Sequence, residues 1–127
     1  ITASNEVMQG AQSLVGRCDA IYIPTDNMVV AAISSVVKVG ESNKLPVFGA
    51  EANTVASGAI GTYGIDYYKL GRQTGEMALR ILKGEKPQDM AIERQKELTL
   101  TLNPAAAERM GVTLPEELKA KAELVEE

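Results

Sequence analysis

The sequence contains no histidine and no tryptophan, and it has a single cysteine, Cys18. Without histidine, Ser–His and Cys–His catalysis and histidine-ligated metal sites are excluded. One cysteine cannot form an internal disulfide or a thiolate metal cluster. No apolar run approaches the roughly 18 residues that a membrane-spanning helix needs. The chain therefore lacks most of what a hydrolase or a metalloenzyme would need.

Positive charge is also scarce in this chain. Its 127 residues include 13 Lys and Arg against 17 Asp and Glu, which gives a net charge of −4. The basic residues form no cluster, so we expect no nucleic-acid partner. There is neither a Gly-x-Gly-x-x-Gly motif nor a phosphate-binding Lys-Ser/Thr motif, and we predict no cofactor. The length suits one domain, or one lobe of a larger protein.

Short apolar segments alternate with segments of helical spacing over the first 84 residues. The predicted strands are 20–23, 46–49 and 59–62, and the predicted helices are 4–15, 28–39 and 67–83. Ser4 and Asp66 stand where an N-cap would begin a helix, and Gly40 stands where a C-cap would end one. This alternation predicts an α/β fold with a parallel sheet flanked by helices on both faces. Three such strands are few for this class, so we expect a further strand before Ile1.

Two glycines interrupt the longest predicted helix. Gly71 and Gly75 lie one turn apart, and each costs roughly 1 kcal/mol in a helix interior. We interpret them as sites where this helix packs closely on the sheet.

The pattern changes after Pro87. Leu98, Leu100 and Leu102 alternate with threonines, which predicts a strand with one buried face. Asn103 and Pro104 then begin a short helix, and a charged helix follows from residue 115. The leucine stripe and the last helix have no clear partner within one lobe. We therefore expect the chain to self-associate as a dimer.

Polar side chains follow the predicted strands. In open parallel sheets, ligands bind beyond the carboxyl ends of the strands. That rule selects a set of loop side chains, namely Thr25, Asp26, Asn27, Glu51, Asn53, Tyr63 and Asp66. Three of them are carboxylates and none is basic. Such an edge suits a ligand with an ammonium group or hydroxyl donors, and it does not suit phosphate.

Helix capping is a competing explanation for some of these residues. Asp66 and one of Thr25, Asp26 and Asn27 are predicted caps, although a cap can also contact a ligand. Glu51 has no apparent capping role and is the sharpest candidate. The three acids could instead serve acid–base catalysis or a hard metal. Their spacing matches no acidic metal loop, and no nucleophile accompanies them.

Four segments together resemble one family. They are CDAIYIPTDNMVVAAI, LPVFGAEANTVASGAIGTYGIDYYKLGRQTG, ILKGEKP and LNPAAAERMGVTLP. They resemble the C-terminal part of ABC-transporter substrate-binding proteins, particularly the branch associated with aromatic amino acids, such as tryptophan-binding lipoproteins. The resemblance implies one lobe of a type I periplasmic-binding fold, with an N-terminal lobe and a leader outside this chain. It matches cleft loops at Thr25 to Asn27, Glu51 and Tyr63 to Asp66.

The resemblance also implies a division of the chain and a function. Residues 1–96 would form the ligand-binding lobe, and residues 97–127 would return toward the N-terminal lobe. The protein would be an extracytoplasmic, non-enzymatic component of an ABC importer that delivers an amino acid, in the narrower expectation an aromatic one, to its permease. Two alternatives remain open. One is the effector lobe of a transcriptional regulator, and the other is a small enzyme with a doubly wound sheet.

Overall fold

The computed structural model describes residues 1–125 as a layered arrangement of short helices and strands. The strands are β1 (Ile21–Ile23), β2 (Val47–Gly49), β3 (Gly61–Gly64), β4 (Thr99–Leu102) and β5 (Glu123–Leu124). The helices are α1 (Val7–Gln12), α2 (Asn27–Ala31), α3 (Ile33–Asn43), α4 (Ala52–Ala56), α5 (Tyr67–Leu82), α6 (Pro104–Arg109) and α7 (Glu116–Lys119). Two 3-10 turns, Ser4–Glu6 and Pro87–Asp89, complete the elements. Within residues 1–125, no helix has the length and apolar character needed to cross a membrane.

The strands are mostly parallel, as predicted. β1 pairs in parallel with β2, with Ile21 opposite Val47. A parallel bridge between Glu51 and Ile65 joins the end of β2 to the end of β3. β4 runs antiparallel to β3, and β5 pairs in parallel with β4. The fold is the predicted α/β class, and β4 adds an antiparallel strand to it.

The tail contributes to the hydrophobic core. Leu102 is 5% exposed, and Met110 packs with Val47 in the same cluster. The prediction that the leucine stripe lacks a partner within the lobe is therefore wrong for Leu102, because β4 pairs with β3 over the core. Leu98 and Leu124 remain exposed. The return of residues 97–127 toward an N-terminal lobe stays a prediction, as does dimerisation.

Two predicted helix ends are wrong, each for a local reason. Gly40 lies inside α3, where a Cβ would come within 2.7 Å of the Leu45 carbonyl oxygen, so it permits close packing. Lys44 ends the helix instead, with a left-handed φ of 52°. Ser4 makes no side-chain cap bond. The Glu6 carboxylate serves this turn instead, accepting from the Thr2 backbone N–H and hydroxyl.

Helix α5 begins at Asp66 as predicted but does not pack on the sheet. None of its residues is buried, and a Cβ on Gly71 or Gly75 would have nothing within 4 Å. The predicted close packing is therefore wrong within residues 1–125. The helix is held by polar contacts instead. Gln73 donates to the Arg94 carbonyl, and Arg80 pairs with Glu93.

The sheet is covered less completely than predicted. In β1, Ile21 and Ile23 are buried, whereas Tyr22 between them is 66% exposed. Successive side chains of a strand point to opposite faces. One face of β1 is therefore open to solvent, and the prediction of helices on both faces does not hold at this strand.

Candidate functional site

Two of the candidate acids cap helices. The Asp26 carboxylate accepts hydrogen bonds from the backbone N–H groups of Met28 (2.9 Å) and Val29 (3.0 Å). The Asp66 carboxylate accepts from Tyr68 (2.9 Å) and Lys69 (3.0 Å) in the same way. The predicted cap at Asp66 is confirmed, and Asp26 is the cap among the three candidates Thr25, Asp26 and Asn27. Each carboxylate therefore already serves its helix.

Glu51 is in a different situation. It occupies the position before α4, yet its side chain makes no cap bond, and its backbone carbonyl accepts from Thr54 instead. The residue is only 8% exposed. Within residues 1–125, no hydrogen bond and no ion pair reaches its carboxylate. The residue is largely buried, and its carboxylate has no protein partner among the described residues, which distinguishes Glu51 from the two capping aspartates.

Glu51 lies on the wall of a cavity of about 260 Å³. Asp66 and Asn53 share this wall, because the parallel bridge between Glu51 and Ile65 brings the ends of β2 and β3 together. The other polar lining residues are Thr62, Tyr67, Thr99, Thr101 and Glu123. The structure thus brings two of the three predicted acids to one cavity. We call this space the Glu51 cavity.

The remaining candidates lie outside the Glu51 cavity. Thr25, Asp26 and Asn27 are exposed at the end of β1 and do not line it. Tyr63 is 70% exposed and also does not line it, because it alternates with Thr62 along β3. These four residues stay predicted contacts of a wider cleft.

The cavity is also lined by Thr62, Thr99, Thr101 and Glu123, which were not predicted as site residues. Thr62 and Thr101 stand directly opposite each other in the β3–β4 ladder, and Glu123 pairs with Thr101 from β5. The alternation of leucine and threonine around Thr101 was visible in the sequence. Its pairing with Thr62 was not, because strand register is set by tertiary structure. Glu123 carried no sequence signal of this role.

The wall of the cavity is acidic. Glu51, Asp66 and Glu123 line it, whereas no lysine or arginine among the described residues does. The nearby Lys69 ammonium lies 3.9 Å from an Asp66 carboxylate oxygen and 3.9 Å from Glu97, so its charge is shared by those two acids. In the described part of the chain, no three acids are close enough together to hold a metal ion. The acids are therefore spread along the wall.

Comparison with known proteins gives the family. The family model described as "ABC transporter substrate binding protein" matches residues 1–126. A tyrosine-binding protein of Clostridioides difficile (strain R20291) is 41% identical over 103 residues, which are 81% of this chain and 30% of that protein.

Two solved structures share the fold over nearly the whole chain. A conserved domain protein from Vibrio cholerae O1 biovar El Tor is 35% identical, with a TM-score of 0.84. The ABC domain in complex with L-Trp from Streptococcus pneumoniae is 28% identical, with a TM-score of 0.83. In each case the match covers 98% of this chain and 42% of the solved chain. The chain thus corresponds to one lobe of these relatives, and it belongs to the family of ABC-transporter substrate-binding proteins.

Proposed function

We propose that this chain is the C-terminal lobe of an extracytoplasmic solute-binding protein, which captures an amino acid and delivers it to an ABC permease. Glu51 would hold the ammonium group of the ligand. The observation that carries this proposal is that Glu51, a residue only 8% exposed, has a carboxylate without a partner among residues 1–125 and lies on the wall of an acidic cavity. The proposed role is binding, not catalysis.

A ligand bound in the Glu51 cavity would cover the Glu51 carboxylate, and this explains why Glu51 points to a cationic ligand. A carboxylate taken out of water costs free energy unless it is paired and hydrogen-bonded. Within residues 1–125, Glu51 has no such partner. A ligand ammonium supplies both the opposite charge and the donors, and the resulting charge-assisted hydrogen bond is stronger than a neutral one.

The two aspartates among the candidate residues would have secondary roles. The Asp66 carboxylate already accepts two backbone hydrogen bonds and lies near the Lys69 ammonium. Asp26 lies outside the Glu51 cavity. We therefore place the ammonium at Glu51, with Asp66 adding negative charge to the wall. Thr25, Asp26, Asn27 and Tyr63 would contact more distant parts of the ligand.

The relatives support an aromatic amino acid and a second lobe. One relative is named a tyrosine-binding protein, and one solved structure contains L-Trp. This chain spans 30% of the first and 42% of the second. The group that binds the ligand carboxylate would then lie in the rest of the protein, since the Glu51 cavity presents acids.

Calorimetry of the full-length protein with L-tyrosine and L-tryptophan tests this proposal. Removing one partner of a buried charge pair typically costs about 2–5 kcal/mol, so Glu51→Gln should weaken binding at least about thirtyfold. Glu108→Gln, at an exposed position of α6, is the matched control. Thermal melting checks that both variants fold. An affinity of folded Glu51→Gln within about threefold of the wild type would refute the role of Glu51.

A further inference from the structure

Two threonines with buried hydroxyl groups lie beside each other on the wall of the Glu51 cavity. Thr62 and Thr101 are directly opposite in the β3–β4 ladder, and each is only 6% exposed. Neither hydroxyl has a hydrogen-bond partner within residues 1–125. Buried polar groups are nearly always paired, so two unpaired hydroxyls at adjacent positions need an explanation.

The surroundings limit what could pair with them. The charged groups on the cavity wall are the carboxylates of Glu51, Asp66 and Glu123. A threonine hydroxyl offers two acceptor lone pairs and one donor. A protonated primary amine offers three N–H donors and a positive charge, so it can satisfy one carboxylate and two hydroxyls together.

We infer that Thr62 and Thr101 are specificity-determining residues, which together with Glu51 select a primary ammonium group over N-substituted ones. This inference rests on the proposed function, since it assigns acceptors to the same ligand group. Both hydroxyl oxygens are sealed from solvent in the structure. Rotation about χ1 to another staggered rotamer exchanges the methyl and hydroxyl positions and can present the oxygen to the cavity.

The test uses valine, which has the shape of threonine without the hydroxyl. In the full-length protein, Thr62→Val and Thr101→Val should each weaken L-tyrosine binding about tenfold, as expected for a hydrogen bond to a charged group. The melting temperature without ligand should stay the same or rise, because an unpaired buried hydroxyl is removed. Thr62→Ser, which keeps the hydroxyl, should retain most of the affinity. Thr113→Val at an exposed site is the control.

N-methyl-L-tyrosine provides the readout of specificity. Its ammonium has two N–H donors, so the wild type should bind it about tenfold more weakly than L-tyrosine. The double variant Thr62→Val/Thr101→Val should bind both compounds equally, because Glu51 alone can accept two donors.

The outcomes separate this inference from the proposed function. If Glu51→Gln abolishes binding but the valine variants keep the affinity and the N-methyl discrimination, the inference is overturned and the proposed function stands. If the valine variants melt at a lower temperature with unchanged affinity, the threonines are structural, held for example by buried water, and the inference is again overturned. If the wild type binds neither L-tyrosine nor L-tryptophan, both fail.

Discussion

Replacing the two glycines of α5 by alanine should stabilise or destabilise the protein, depending on whether another segment contacts this helix. Gly71 and Gly75 lie on one stripe with Leu79 and Leu82, which are 50% and 84% exposed. A Cβ added at either glycine would have nothing within 4 Å. Alanine should therefore stabilise the helix in the 127-residue chain, because it removes the conformational cost of glycine and meets no neighbour.

The expected magnitude follows from helix propensity. Each Gly→Ala change in an exposed helix interior contributes about 1 kcal/mol, which is roughly a fivefold change in an equilibrium constant. Because α5 buries no residue in the core, the gain should appear in local opening of the helix. Hydrogen exchange of the α5 amides measures this directly. We expect roughly fivefold slower exchange for each variant, and about 25-fold for the double variant if the effects add.

The same double variant tests the two-lobe proposal. Small residues at this spacing let another element approach a helix closely, and Leu79 and Leu82 would extend that contact. If the other lobe of the full-length protein packs here, the added methyl groups should lower its melting temperature. Faster hydrogen exchange of the α5 amides in the 127-residue chain would refute the conclusion that nothing contacts Gly71 and Gly75 there. A stabilised full-length protein would refute packing at the glycines.

Two further predictions concern hydrogen bonds in the described residues. Asn103 is 3% exposed, and its side chain accepts a hydrogen bond from the Ala106 N–H and donates one to the Val55 carbonyl. Asn103→Ala should therefore lower the free energy of unfolding by about 2 kcal/mol, as measured by urea titration. An unchanged urea midpoint would contradict this prediction. The hydrogen bond from Arg80 holds the pKa of Glu93 below its usual 4.5. The ion pair between Arg80 of α5 and Glu93 is therefore fully present above about pH 4.5 and is lost as the pH falls through the lowered pKa. The protease sensitivity of α5 should increase over the same pH range. Glu93→Gln should remove this pH dependence.

Most helix starts, with the exception of Ser4, were predictable because the interactions that define them are local. An aspartate at the N-cap position binds N–H groups two and three residues ahead. Asp66 was therefore identified from its position before a helical pattern, and Asp26 was one of three adjacent candidates. Helix ends were less predictable. Gly40 has the residue type of a C-cap, but it lies inside α3, where the Leu45 carbonyl oxygen and the Val47 side chain leave no room for a Cβ, and the helix ends at Lys44.

The candidate site was predictable only in part. The rule for strand ends selected Glu51 and Asp66, and the bridge between Glu51 and Ile65 does place both on one cavity wall. The rule could not separate Asp26, which belongs to another strand end and lies outside that cavity. Nor could it find Thr62 and Thr101, since the antiparallel register of β4 against β3 joins residues 39 positions apart in the chain.

The α/β class, the family resemblance, the absence of histidine chemistry and the acidic character of the strand ends all follow from the sequence alone. They depend on residue types and short-range spacing. Three features were decided only by the tertiary structure: the buried Glu51 without a partner, the threonine pair beside it, and the exposed stripe of α5. Each feature depends on which distant segments pack together, because that packing determines which side chains are covered and which stay exposed. Hydrophobic periodicity shows that a face is buried, but the register and the packing partner determine what lies against it.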